Sequence, residues 1–141
     1  MRTPSAEVQP APRQIAWQEL AFGMFCHFGP NTFLDQEWGT GAEDPAVVNP
    51  IEFDPHQWAQ AAVAAGMRYM VFTAKHHDGF CNWPTETTDH SIKAGPWRGG
   101  TGDMLEMVAA ACRAHGLALG IYLSPWDRHE PRYHDASAYD D

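Results

Sequence analysis

Three short apolar runs, residues 22–26 (FGMFC), 69–73 (YMVFT) and 117–123 (LALGIYL), are separated by long stretches that each carry one helix-like pattern. Each run is short, rich in aromatic or aliphatic residues and bounded by polar ones, which is the pattern of a buried strand. Strands that alternate with helices pair in parallel through right-handed crossovers, because a tight hairpin cannot return the chain to a parallel partner. The rhythm therefore predicts an α/β fold in the order strand, loop, helix, strand, loop, helix, strand.

The helices have legible ends. Asp54 is placed to cap the first and Pro55 to occupy its first position, with Trp58, Ala61, Ala62 and Ala65 at helical spacing and Gly66 as the stop. Asp103 caps the second, which sets Met104, Met107, Val108, Ala111 and Cys112 on one face and ends at Gly116. Between these elements lie two long connections, residues 28–54 and 75–102, rich in Gly, Pro, Asn, Asp and Thr. Loops of that length in a compact domain are more often functional than idle. Residues 1–16, with three prolines among small and polar neighbours, read as a flexible lead-in, with order beginning near Trp17. Residues 17–131 form the folded unit, and residues 132–141 an acidic, polar tail with no further element.

Composition narrows the function. With 44% hydrophobic and 19% charged residues in 141, the chain has enough apolar material for one core. Its formal charge of −9 and singly scattered Lys and Arg provide no basic stripe, which argues against nucleic acid as a partner. No run approaches the roughly 18 apolar residues of a membrane span, and residues 1–14 contain no apolar signal-peptide segment. Compartment and oligomeric state stay open. Cys26, Cys81 and Cys112 are odd in number, far apart and without a CxxC pair, so they read as small buried thiols.

The chemistry concentrates where the apolar runs stop. The three segments end in FCHF, FTAKHHDGF and IYLSPWD, and in a parallel sheet all three ends lie along one edge, the carboxyl edge at which α/β folds build their sites. Singly, His27 reads as a structural hydrogen-bonder, whereas adjacent His76 and His77 read as a site pair, one ring facing the pocket and the other bracing it. Trp83 and Trp97 read as core anchors, and Trp38 and Trp126 are open to either role. His27, His76, His77 and Asp78 could supply nitrogen and oxygen ligands to a metal, but HxH and HExxH spacings are absent and a metal-free, cofactor-free site is the expectation. Aromatic rings beside His, Glu and Asp suit a neutral polyol, whose C–H faces pack on rings while its hydroxyls need directed donors and acceptors.

Taken together, FGMFCHFGPNTFLDQEWGTGAEDP, FDPHQWAQAAVAAGMRYMVFTAKHHDGFCNWPTETTDHSI and GLALGIYLSPWDRH resemble the N-terminal part of the catalytic domain of the α-L-fucosidases, glycoside hydrolase family 29. The resemblance runs from Trp17 to His129, and AKHHDGF is its most specific segment. It implies the first three strands of a (β/α)8 TIM-like barrel that cleaves terminal α-L-fucose from glycans with retention of configuration. It also implies that His27, His76 and His77 bind fucose hydroxyls, with Glu37, Trp38 and Tyr122 as further substrate contacts; Trp126, just past the third strand, is a substrate-contact candidate from its position. Phe28 departs from the family, which often has Trp there; a ring is kept, so a packing difference is expected.

Retaining hydrolysis needs a nucleophilic carboxylate and an acid about 5 Å apart. The resemblance implies a nucleophile Asp after a fourth strand, beyond residue 141, with Glu37 one acid/base candidate, a later Glu the other and Asp78 in a supporting role. The sequence is thus expected to be a truncated fucosidase, inactive as it stands. Its open third strand predicts an isolated chain that is poorly soluble or molten. The alternative is a catalytically inactive sugar-binding fragment.

Overall fold

The computed structural model describes residues 9–139, so residues 1–8 of the expected lead-in and residues 140–141 of the expected tail lie outside the described residues. Strands β1 (Gly23–Cys26), β2 (Tyr69–Lys75) and β3 (Ala118–Leu123) form one parallel sheet in the order β1-β2-β3. The register aligns Cys26 with Phe72 and Phe72 with Ile121, so alternate residues share a face across all three strands. The three strands form an open sheet with β1 and β3 at its edges.

Five helices accompany the strands among the described residues: α1 (Pro12–Gln18), α2 (Pro30–Leu34), α3 (Pro55–Ala64), α4 (Met104–His115) and α5 (Ala136–Tyr139). The two crossover helices begin as their caps predict. Asp54 Oδ1 accepts from the amides of His56 and Gln57, and the Asp103 carboxylate accepts from Glu106 N at 2.8 Å. Gly116 ends α4 in the left-handed conformation, φ 70°.

Helices α3 and α4 cover one face of the sheet. Met70 and Phe72 of β2 are fully buried against Ala59 and Ala62 of α3 and Val108, Ala111 and Cys112 of α4. Burying a side chain of the size of Phe72 contributes about 1.5–3 kcal/mol. The inward stripe of α3 is Pro55, Ala59 and Ala62, with Trp58 half-buried, and not the expected set: Ala61 and Ala65 face solvent. Small residues left the stripe ambiguous by one position, since alanine fits either side. Cys81 and Cys112 are buried and Cys26 half-buried, all as free thiols.

Neither long connection is structureless. The first contains α2 and a 3-10 turn at Pro45–Val47. In the second, Cys81 bridges to Lys75 and Ser91, while Phe80, Ile92 and Trp97 are buried, Trp97 Nε1 donating to Pro50 O at 2.9 Å. Trp97 is thus a core anchor, as expected; Trp83 is half-buried. Two expectations at the chain ends need correction. Helix α1 starts within the expected lead-in, with Pro12 at its first turn and Gln14 Oε1 accepting from Ala11 N. The expected elementless tail holds a 3-10 turn, Pro131–His134, and α5, started by Glu130 and Asp135 accepting from Arg132 N and Ser137 N. Such elements rest on local capping rather than on an apolar stripe, so hydrophobic periodicity does not reveal them.

Candidate active site at the carboxyl edge of the sheet

Strand β2 runs two residues further than its apolar stretch, to Lys75, and its pairing with β3 shifts between Thr73 and Lys75. Irregularities of this kind re-aim the side chains that follow. The chain then turns at residues 76–79, with Gly79 N donating to His76 O at 3.1 Å and Gly79 at φ 80°. A Cβ on Gly79 would overlap the Asp127 carboxylate. Because this segment is a turn, strand alternation does not separate the histidines: the His76 and His77 ring centroids lie 4.4 Å apart.

The remaining edge residues gather around that pair. His27, which follows β1, stacks on Phe25 at 4.5 Å and meets His76 edge-on at 5.5 Å. The Tyr122 ring of β3 is 5.8 Å from His76 and 6.4 Å from both His27 and His77. Trp126 lies 4.9 Å and Trp38 5.6 Å from His77, and the two indoles meet edge-on at 5.8 Å. A cavity of about 360 Å³ is lined by His27, Glu37, Trp38, His76 and Asp78 among others, whereas His77, Tyr122 and Trp126 stand outside its lining. Glu37 is exposed, and its carbonyl accepts from Asn31 Nδ2 at 2.9 Å.

His76 and His77 are biased toward the neutral form. Burial pushes His76 down to about 4, with the neighbouring His77 and His27 adding to the effect, and its Nδ1 is buried without a partner among the described residues. Burial also lowers His77, followed by the charges of Arg128 and His27. Ser124 Oγ donates to Trp126 O at 2.9 Å and so accepts from His77 Nδ1 at 2.7 Å, which leaves His77 Nε2 as an acceptor. Asp78 is buried; Oδ1 accepts from Phe80 N at 2.7 Å and Oδ2 has no partner. Burial raises its carboxyl above the usual range despite that bond. Among the described residues no three His, Cys, Asp or Glu side chains converge as a metal-binding cluster.

Several residues that shape the site carried no sequence signal. Ser124 fixes the His77 tautomer. Asn82 Nδ2 donates to Phe28 O at 2.7 Å and Thr73 O at 2.8 Å, tying the segment after β1 to β2. Lys75 Nζ pairs with Asp127 at 2.7 Å. Arg128 packs on Trp126 and Trp38. Only the NW of NWP and the SPWDR run, read as turn chemistry beside a strand end, could have drawn attention to Asn82, Ser124 and Arg128.

Fold and site together define a class: an α/β protein with its site at the carboxyl edge of a parallel sheet, furnished with indoles and imidazoles. Residues 43–141 match the model of the family described as alpha-L-fucosidase. The chain is 48% identical to alpha-L-fucosidase 1 of Arabidopsis thaliana over 132 residues, 94% of this chain and 26% of that protein. The fold superposes with a TM-score of 0.85 on a glycoside hydrolase 29 family member from an unknown rumen bacterium, at 48% identity over 88% of this chain and 22% of that one. It superposes with a TM-score of 0.81 on a Ruminococcus gnavus family 29 fucosidase solved in complex with fucose, at 38% identity over 94% of this chain and 28% of that one. The chain belongs to the α-L-fucosidase family, and it spans about a quarter of the length of these relatives.

Proposed function

We propose that the protein to which this chain belongs is a retaining α-L-fucosidase acting on terminal fucose of glycans, and that this chain supplies the sugar-facing rim of its active site. The observation that carries this reading is the His76–His77 pair, biased toward the uncharged form at the sheet edge beside two indoles. Neutral imidazole donates through one nitrogen and accepts through the other, which matches sugar hydroxyls, and the rings offer apolar faces to C–H groups. In this reading His27, His76 and His77 bind hydroxyls, Glu37, Trp38, Tyr122 and Trp126 complete the contacts, and no cofactor takes part. The three strands are the first of a (β/α)8 barrel, residues 17–131 being its N-terminal part, and the nucleophile is an Asp on a later strand, with Glu37 or a later Glu as acid/base.

A second reading, sugar binding without turnover, draws on Asp78. It is one of two carboxylates lining the cavity, and it is buried with Oδ1 bonded to Phe80 N and Oδ2 without a partner among the described residues, which makes Glu37 the exposed carboxylate there. Hydrolysis of 4-nitrophenyl α-L-fucoside by the full-length protein separates the two. Turnover that falls about a hundredfold in His76→Ala and in His77→Ala supports the fucosidase reading. Fucose binding without turnover selects the second, and wild-type rates in both variants remove the pair from the site.

A further inference from the structure

Arg128 brings a cation to this rim. Its guanidinium carbon sits 4.4 Å from the Trp126 ring centroid and 5.5 Å from that of Trp38, within the range of a cation–π contact with both. Nη1 donates to Gly39 O at 2.8 Å, in the connection after β1, and its backbone N donates to His77 O at 2.9 Å, in the turn after β2. The next residue repeats the clasp, with His129 Nδ1 bonded to Gly41 O at 2.7 Å. A Cβ on Gly41 would press into the Arg128 backbone, so the two loops are in direct contact. One residue of the third loop thus touches both other loops and both indoles.

We infer that Arg128 is a positioning residue of the active site: its planar guanidinium holds Trp38 and Trp126 as one wall, and it fixes a positive charge against the turn that carries His77, to whose carbonyl its own amide is bonded. The inference rests on the fucosidase reading for its effect on turnover, but not for its effect on His77. A guanidinium suits the first task better than an ammonium, because it stacks flat on rings and directs a hydrogen bond in plane. For the second, the titratable and charged groups facing His77 are His76 on its own turn, His27 after β1, Tyr122 on β3 and Arg128. Of these, only Arg128 carries a permanent positive charge, and the other cation near the turn, Lys75, is paired with Asp127.

Two variants of the full-length protein separate packing from charge. Arg128→Met removes both, so the titration of His77, followed by NMR of labelled histidine, moves up by roughly half a pH unit or more, and KM for 4-nitrophenyl α-L-fucoside rises several-fold. Arg128→Lys keeps the charge and loses the fork, so the titration stays near wild type while KM still rises. A His77 titration unmoved in Arg128→Met overturns the charge role, and unchanged KM in both variants overturns the wall. Should the wild-type protein show no fucoside turnover, the fucosidase reading falls, and the His77 shift still decides what Arg128 does.

Discussion

The two long connections look alike as sequences, and each divides its residues between core and rim, but their tryptophans go opposite ways. Residues 28–54 and 75–102 are both rich in turn residues, and each carries tryptophan. The second opens with His76 and Asp78 at the cavity and then buries Phe80, Cys81, Ile92 and Trp97, whereas the first buries Val48 and leaves Trp38 48% exposed beside the cavity. Length alone does not mark a recognition loop. What separates them is where the indole nitrogen and ring go: Trp97 bonds to a backbone carbonyl inside the core, and Trp38 meets other rings at the rim. One indole is a plug that completes the hydrophobic core, and the other is an instrument that faces a ligand.

That contrast breaks most readily at Trp97. Trp97→Ala in the full-length protein is expected to cost about 3–5 kcal/mol of stability, read from denaturant midpoints, and to lower activity only through loss of folded protein. Trp38→Ala should do the reverse, reducing kcat/KM for 4-nitrophenyl α-L-fucoside by roughly tenfold to a hundredfold while the melting temperature barely moves. If Trp38→Ala unfolds the protein, the distinction between plug and instrument is lost.

The smallest effect sharpens the comparison through pH. His90, in the second connection, is buried between Phe80 and His129, and burial first, then the charge of His129, pushes it down to about 4. The unfolded chain binds that proton near the ordinary 6.5, so it holds more protons than the folded form between those values. Stability therefore falls as pH drops from about 6.5 to about 4 and levels off below. His90→Phe keeps a ring in place and should flatten the decline of melting temperature across that window. An unchanged slope would assign the acid sensitivity to other groups.

The strands, the capped crossover helices and the gathering of His27, His76, His77, Tyr122 and Trp126 at one edge were legible, because apolar runs, N-caps and parallel topology are local or geometric consequences of sequence. Less was legible where identity matters less than address. Asn82 reads as an ordinary turn residue until its amide is seen joining Phe28 to Thr73, and Ser124 until it holds the His77 proton. Such roles depend on pairs far apart in the chain, 54 positions for Asn82 and Phe28 and 47 for His77 and Ser124, which no local pattern encodes. Alternation misled at His76 and His77, since the strand had already given way to a turn, and hydrophobic periodicity missed α1 and α5.

Gly79 has a consequence for inheritance. Its left-handed backbone already disfavours a side chain, and the space a Cβ would fill belongs to Asp127, so strain and collision coincide. Every single-base change that replaces this glycine introduces a Cβ or ends the chain. The pair His76 and His77 therefore has a neighbour that admits almost no variation, and missense changes at this glycine are expected to rank among the most damaging around the pocket although it contributes no side chain to it.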